Sequence, residues 1–392
     1  MGNNFRVVLD SSPPELLAEP VGHAAADQPG WQIQVLRGRA TLAAMRPLLA
    51  ELACHTGQTT AMDSLEHLLD APAIQGKVPY LVLVGGGEQP DGKSVAVTDL
   101  QGAVVLHEYR IAGRGARVFS THDVTGQQTV FAPAAIRAQV AELAGLTLAD
   151  QGALITLISV EMAAGAECSP PLPTAPGSQS LIATRTRTLP RDLLMETTLD
   201  ATLAKLGKRT RRNLRYYRRR AEAALGTSFI PSAEVSREQF IEMNRTSTNP
   251  APEADAAWRY DCLGDLPGSM FAGVSDRDGR WLSLVGGRRY NGITEIEWQM
   301  NRAGLPRYSL STVMRSYLLE HEVARGTTKI MFQGGTTHSM RNALIGSNVL
   351  DILVVRRSPL AWLVQQFAKR LFPESNFLGK VLRDPNLAWS KS

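Results

Sequence analysis

The alternation of apolar and polar positions becomes regular from Trp31 onward. WQIQVLRG alternates with period two and predicts a strand, and RATLAAMRPLLAELACHTG has the three-and-four spacing of an amphipathic helix closed by Gly57. VPYLVLVGGG, SVAVTDLQGAVVLHEYRIAG and RVFSTHDV predict strands joined by glycine-rich turns, followed by the helix AAIRAQVAELAG and the strand ALITLISVE. One α/β unit is expected to end near Glu161. Residues 163–180 hold four prolines and no periodicity, the pattern of a linker or a long surface crossing.

A second α/β unit is expected to open with the strand SLIATRTRTLP. After it come a basic helix, the helix REQFIEMNRTS, the strands SMFAGVSD, RWLSLVGGRRY and ITEIEWQMN, the helix LSTVMRSYLLEHEVARG and the strand TKIMFQGG. This order roughly repeats the first unit without a residue-level repeat. The predicted division is a loose Pro-, Ala- and Gly-rich leader over 1–30, a domain over 31–162, a linker over 163–180, a domain over 181–350 and a strand/helix extension over 351–392. In that extension Pro359–Phe372 is amphipathic, which suits a packed terminal helix better than a membrane-surface one because no long basic face accompanies it.

The basic helix changes the picture most. Lys205–Arg220, KLGKRTRRNLRYYRRR, carries nine Lys or Arg and no acid. Leu203, Leu206, Thr210, Leu214, Tyr217, Ala221 and Ala224 recur at spacings of three and four, so one face of a single helix packs inward. Lys208, Arg211, Arg212, Arg215, Arg218 and Arg219 spread over the rest. Like charges at i,i+4 cost a few tenths of a kcal/mol each, so an anion-bearing partner is expected at Lys208, Arg211, Arg212 and Arg215. Pairing with the chain's own acids is the competing account. The whole chain carries only +5, which leaves everything outside these sixteen residues net acidic. Basicity is therefore local, which argues against general coating of DNA.

Hydrophobic and charged fractions of 44% and 20% are those of a soluble globular chain. Three scattered cysteines (Cys54, Cys168, Cys262) suit a reducing compartment, and neither a signal peptide nor a span of transmembrane length is visible, so a cytoplasmic protein is expected. GGGEQP (Gly85–Pro90) fails the dinucleotide glycine pattern, GVSDR lacks the closing glycine of a nucleophile elbow, and His321-Glu322 has no second histidine at zinc spacing. No metal site is predicted. Most hydrolases, kinases, dehydrogenases and zinc enzymes that announce themselves by short motifs are thereby set aside.

The stretch Leu206–Arg220, entered from a strand ending in Leu189-Pro190 and closed by Gly226, resembles the opening of the CelD/BcsL-type acyltransferases. That family belongs to the GNAT superfamily and is related to the Fem-type aminoacyl transferases. The later order of two strands, the helix LSTVMRSYLLEHEVARG and KIMFQGGTTHSMRNALIG is similar to the family's close, with Gly335 and Arg341 at its Gly and basic positions. The resemblance covers Leu181–Gly346 and extends to Trp31–Glu161, where THDVTGQQTVFAPAAIRAQVAEL resembles the family's Asp-containing loop and helix. It implies two tandem GNAT-like domains, each a mixed twisted sheet flanked by helices, the first degenerate. One departure stands out. NRAGLPRYSLS (Asn301–Ser311) replaces the family's Pro-Gly, and Arg302, Gly304 and Leu305-Pro306 satisfy only half of the related basic-x-x-Gly-x-Gly/Ala pattern.

Acyl transfer to an amine needs a polarised thioester, a neutral amine and a proton acceptor. The resemblance implies that the donor's pyrophosphate sits at a helix start, where unpaired N–H groups and partial positive charge favour anions. RYSLSTVM fits, with Ser309 and Ser311 as caps and Arg302, Gly304 and Arg307 nearby; an ordinary capped helix is the alternative. Strict alternation along ITEIEWQM places Glu295, Glu297 and Gln299 on one face and Ile296, Trp298 and Met300 on the other. Paired carboxylates raise each other's pKa, which suits Glu297 or Glu295 as a general base, the alternative being a solvated face. His338, after the last strand, is a further catalytic candidate, and Asn244, Arg245 and Trp258 are candidates for an acceptor pocket.

Three functions are expected in descending order. The first is an N-acyltransferase moving an acyl group from acetyl-CoA or a longer acyl-CoA, bound as co-substrate rather than as a resident cofactor, to a small-molecule amine. The second is a Fem-like transferase with aminoacyl-tRNA as donor, in which the basic helix tracks phosphates. The third is a non-enzymatic nucleic-acid-binding module with Tyr216 and Tyr217 stacking on bases, weakened because Tyr217 lies on the apolar stripe. No heptad arm for tRNA is visible, which ranks the CoA thioester first.

Overall fold

The computed structural model describes residues 31–58, 77–86, 100–111, 114–121, 129–162, 180–264, 268–332, 338–361, 363 and 390–391. Gly335, Cys168, the Asp-containing loop after Thr121, the end of GGGEQP and most of Pro359–Phe372 lie outside them. The described residues form two compact units. One comprises those up to Arg187 together with those from Asn348 onward; the other comprises Thr188–Ser347.

In the first unit the strands are β1 (Trp31–Arg37), β2 (Lys77–Gly86), β3 (Leu100–Ile111), β4 (Arg114–Ser120), the short β5 (Val130–Phe131), β6 (Ile155–Glu161), the early part of β7 (Ser180–Leu194) and β13 (Ile345–Arg356) from Asn348 onward. The sheet runs β1-β2-β3-β4-β6-β13-β7, with β5 paired to β3. All its pairings over β1 to β4 are antiparallel, and β4 pairs parallel with β6. The helices are α1 (Arg39–Ala44), α2 (Arg46–His55) and α3 (Arg137–Asp150). Alternation works as period two requires: Val82, Val84, Val104 and Leu106 meet α3 through Val140 and Ala144, while Leu81, Leu83, Ala103 and Val105 meet Leu42, Leu49 and Leu52. The single helix expected over 39–57 is two, because Pro47 has no N–H to continue the ladder.

The second unit contains the later part of β7, α4 (Leu199–Ala204), α5 (Lys208–Leu225), β8 (Ser228–Ile230), α6 (Arg237–Arg245), α7 (Glu253–Gly264), β9 (Ser269–Ser275), β10 (Trp281–Tyr290), β11 (Ile293–Asn301), α8 (Leu310–Ala324) and β12 (Lys329–Phe332). Its sheet runs β7-β12-β11-β10-β9-β8. Again one pair is parallel, β11 with β12, and α8 makes the crossover between them. The succession β8, α6, α7, β9, β10, β11, α8, β12 matches β1, α1, α2, β2, β3, β4, α3, β6. Both units are mixed sheets flanked by helices, the fold class that the resemblance implied.

The core of this unit has two sides. Leu214 and Ala221 of α5 and Val313, Met314 and Leu318 of α8 pack with Val274, Val285, Ile296 and Ile330; Phe240 and Met243 of α6 and Ala256 of α7 pack with Leu284, Trp298 and Met300. Full burial of a side chain such as Leu214 contributes about 2 kcal/mol.

The basic segment is not one continuous helix. Thr198 caps α4 by accepting from Ala201 N at 3.2 Å, and the chain becomes extended at Gly207 (φ −59°, ψ 149°), from which α5 starts anew. Thr210, Leu214 and Ala221 face inward as expected, but Ala224 is exposed and Leu225 packs on the core in its place. Gly226 ends α5 in the left-handed conformation (φ 61°), the helix-closing role assigned to it.

A bulge and a strand split as the candidate functional site

The strand ITEIEWQMN does not keep strict alternation. Along β10 and β11 the register steps from Gly286 opposite Trp298 to Gly287 opposite Ile296, so Glu297 is an extra residue with no opposite number. The parity of the strand resets there. Ile296 joins the core side with α8, Trp298 and Met300 join the side with α6 and α7, and Gln299 pairs with Val285 of the α8 side. Glu295, Glu297 and Gln299 therefore do not share one face, contrary to the period-two expectation. The reason lies in β10: a Cβ on Gly287 would meet the Glu295 carbonyl oxygen at 1.8 Å, and one on Gly286 would meet the Trp298 ring at 2.0 Å. Two glycines let the backbones close around the bulge.

The same point is where the parallel pair parts. β12 pairs with β11 only from Ile293–Lys329 to Ile296–Phe332. Among the described residues, Glu297–Met300 continue with β10 alone, and their other edge offers backbone N–H and C=O groups to an extended partner. At its far end that edge is closed, since Thr248 N donates to Asn301 O at 2.9 Å and Ser247 bridges Arg302.

After Asn301 the chain turns through Gly304 (φ 79°) and a 3-10 turn, Pro306–Tyr308, into α8. Arg302 is committed to this loop, its Nε donating to Trp281 O at 2.9 Å. Arg307 is exposed, its guanidinium 4.9 Å from the Tyr308 ring centre. Arg220 of α5 lies over the same ring at 5.7 Å. Ser309 holds the N-cap position in the left-handed region (φ 47°) but its hydroxyl makes no capping bond; Oγ pairs with Thr312 Oγ1 at 2.8 Å instead. A non-glycine residue with positive φ stores strain of the kind found at working sites. Ser311 sits half-buried in the first turn.

Thr312 ties this turn to the segment after β12, since its Oγ1 lies 3.1 Å from His338 Nε2. His338 Nδ1 accepts from Met340 N at 3.2 Å, capping the 3-10 turn Ser339–Ala343. Burial, reinforced by the Arg315 charge, pushes the imidazole down to about 4, so the ring is neutral near pH 7. With Nδ1 accepting, its proton resides on Nε2 and is donated to Thr312. Arg315, one turn further along α8, is itself buried, which lowers it to about 10, and its guanidinium lies 5.0 Å over the Phe332 ring. A cation so placed raises the local potential at the end of β12.

Glu295 is fully buried and bound to buried Arg288, Nε to Oε2 2.6 Å. Glu322 of α8 is held similarly. Burial pushes its pKa up, but hydrogen bonds from Thr294, Thr327 and Arg289 outweigh this and hold it below the ordinary carboxylate value.

The cations of α5 divide. Arg218 pairs with Glu222 at 2.9 Å and with Glu320, and stacks on Tyr317 at 4.1 Å. Arg215 reaches Asp200 at 3.3 Å with both side chains exposed. Among the described residues Lys208, Arg209, Arg211, Arg212, Arg219 and Arg220 have no carboxylate partner. Thr210 Oγ1 donates to Ser339 O at 3.4 Å, which sets the first turn of α5 beside the turn carrying exposed Arg341.

The structure thus brings Arg307, Ser309, Ser311, His338 and Arg341 around the start of α8 and places Glu297 at the strand split. Asn244 braces a loop through bonds to Ala251 N and O, both 2.9 Å, and Arg245 pairs with Glu253 at 2.8 Å. Trp258 is buried in α7, a helix the sequence pattern left unassigned. Thr312, Arg315 and Tyr308 escaped sequence reasoning. The signal available was Gly286-Gly287 inside a strand, which marks a bulge, and an arginine in the apolar run LSTVMRSYLL. In the first unit the matching helix start is filled by the chain itself. Arg137 is buried there and donates to Ala132 O at 3.1 Å and Glu161 O at 3.2 Å, and Gln58 braces Val130 and Ala132. Among the described residues no helix is long and apolar enough to cross a membrane, and no cluster of three His, Cys, Asp or Glu could hold a metal.

No family model matches the chain, and neither does any curated protein. Among solved structures it is similar to a tandem GNAT protein from the clavulanic acid biosynthesis pathway (12% identity, TM-score 0.45, covering 84% of this chain and 99% of that one). It is also similar to L-PGS from Bacillus licheniformis (13%, 0.42, 69% and 86%) and to FemX (11%, 0.41, 75% and 91%). At such identities and scores the functional reading rests on the site's own geometry.

Proposed function

We propose that the chain is an N-acyltransferase of the GNAT superfamily, of the CelD/BcsL type, that moves an acyl group from an acyl-CoA thioester to the amine of a small molecule. One observation carries this reading: Glu297 stands as the extra residue of a bulge at the point where β11 and β12 part. An extended amide-bearing arm can lie along the open edge of Glu297–Met300 and present a thioester carbonyl beside that carboxylate.

The amine nitrogen attacks the carbonyl carbon, forming the N–C bond. Glu297 accepts the proton that the nitrogen sheds, the C–S bond breaks, and the thiolate leaves to be protonated in turn. The donor's pyrophosphate is assigned to the free N–H groups at the start of α8, with Gly304 leaving the backbone open and Arg307, Ser309 and Ser311 around it. Arg302 holds that loop to β10. His338 acts in this reading as a positioning residue: its acceptor nitrogen is engaged by a backbone N–H, so its work is to fix Thr312 and with it the first turn of α8. Glu295 belongs to the Arg288 pair that stiffens the sheet beneath the bulge. The acyl-CoA is a co-substrate and no resident cofactor is invoked.

Calorimetry with acetyl-CoA and longer acyl-CoA thioesters, followed by a screen of amine acceptors, tests the proposal. Saturable heat with at least one thioester and acyl transfer to an amine is expected. Absence of heat with every CoA thioester would reject the donor.

A further inference from the structure

Three segments meet around the start of α8: residues 205–220, 301–319 and 338–347. Together they carry thirteen Lys and Arg and no Asp or Glu. The contacts joining them are Thr210 to Ser339, His338 to Thr312, and Arg220 over Tyr308. Glu222 and Glu320, just outside these stretches, both pair with Arg218 and, among the described residues, with no other cation of this corner.

Its outer edge is ordered. Lys208, Arg212, Arg215 and Arg219 succeed one another at spacings of four, three and four, a single stripe opposite the buried Thr210, Leu214 and Ala221. All four are exposed, and among the described residues only Arg215 meets a carboxylate, itself 90% exposed. The stripe spans about 16 Å at the helical rise of 1.5 Å per residue. Beside it Tyr216 is 47% exposed, whereas Tyr217 packs on the core. Arg220 Nη1 donates to Tyr216 Oη at 3.1 Å, so that hydroxyl keeps its own proton to give away.

We propose that the outer face of α5 docks single-stranded RNA, with the stripe from Lys208 to Arg219 following the phosphates, Tyr216 stacking on a base and its hydroxyl donating to a ribose 2′-hydroxyl. Charge complementarity selects a polyanion: four exposed cations in a row, flanked by Arg209, Arg211 and Arg220, which meet no carboxylate among the described residues, exceed what one small phosphate group neutralises. A membrane surface is disfavoured because α5 exposes no large aliphatic side chain among its cations to enter the lipid. An exposed aromatic ring beside a cationic track is the arrangement that holds single strands, and the 2′-hydroxyl contact separates RNA from DNA. The stripe lies opposite the α5 face whose Thr210 meets the turn beside the start of α8, so the inference stands whether or not the donor is a CoA thioester.

The test is fluorescence anisotropy of the full chain with a short labelled single-stranded RNA of mixed sequence, with no acyl donor present. Affinity should fall with salt at a log–log slope of about −3, the value for four neutralised phosphates on a single strand. Combining Lys208→Ala, Arg212→Ala, Arg215→Ala and Arg219→Ala should weaken binding at least tenfold and flatten that slope, with the thermal melting curve retained. Replacing the three arginines by lysine should keep most of the affinity, which separates lost charge from lost fold. Tyr216→Phe should abolish the preference for RNA over DNA of the same sequence. Unchanged affinity in the alanine variant, equal affinity of the native chain for DNA, or binding to phosphatidylglycerol vesicles without RNA binding would each overturn the proposal.

Discussion

Gly287 and Glu295 approach so closely across β10 and β11 that a Cβ on the glycine would lie 1.8 Å from the glutamate's carbonyl oxygen. The bulge that sets Glu297 apart depends on this contact. Flexible side chains can move away from an intruding methyl, but a backbone carbonyl inside a sheet cannot. Gly287→Ala is accordingly expected to cost roughly 2–4 kcal/mol of stability, read as a lower denaturation midpoint. A midpoint equal to that of the native chain would remove the steric account.

Glu297 is the proposed proton acceptor. Glu297→Gln keeps size and removes the base, so turnover should fall by about 10²–10⁴ while the dissociation constant for acyl-CoA stays within about twofold, the distinction between transition-state and ground-state effects. Steady-state kinetics with parallel calorimetry measure both. Native turnover in this variant would take Glu297 out of the mechanism.

Glu295 and Arg288 form an ion pair 0% and 2% exposed. Removing one partner strands the other charge away from water. Glu295→Gln should therefore destabilise by about 3–5 kcal/mol in urea unfolding, and the double variant Glu295→Leu with Arg288→Leu should recover part of the loss. A double variant as unstable as the sum of the singles would show that the two side chains act independently.

His338 gives a pH signature. Its folded pKa, about 4, lies below the ordinary histidine value of 6.5, so the unfolded chain binds the proton more readily. Its contribution to stability is complete above pH 6.5 and is lost as pH falls from there towards 4, with a slope of at most about 1.4 kcal/mol per pH unit for one proton. Melting temperatures measured across that window should decline less in His338→Gln than in the native chain. Parallel profiles would mean that His338 is not the titrating group.

Much of the fold was legible because its signals are local. Continuous apolar runs such as YLVLV and AVVL identified strands buried on both faces, and three-and-four spacing identified α3, α5, α6 and α8. The basic helix announced both its buried face and its charge. Glu253–Gly264 escaped because its moment is weak and Trp258 and Leu263 are buried without an alternating pattern. Gly207, which separates α4 from α5, was legible only as one more residue in a charged run.

What the sequence alone determined is which residues are apolar, which are charged, and the order of strands and helices, because these depend on neighbours within a few positions. Tertiary structure decided the rest. Nothing local tells Ile345–Arg356 that it will pair with β6, some two hundred residues earlier, since strand pairing depends on which edges remain open once the sheet has formed. Likewise Glu295 and Glu297 are two residues apart and chemically alike. One is buried against Arg288 and the other stands at the strand split, and the difference comes from Gly286-Gly287 on the neighbouring strand, which permits the bulge that resets the alternation between them.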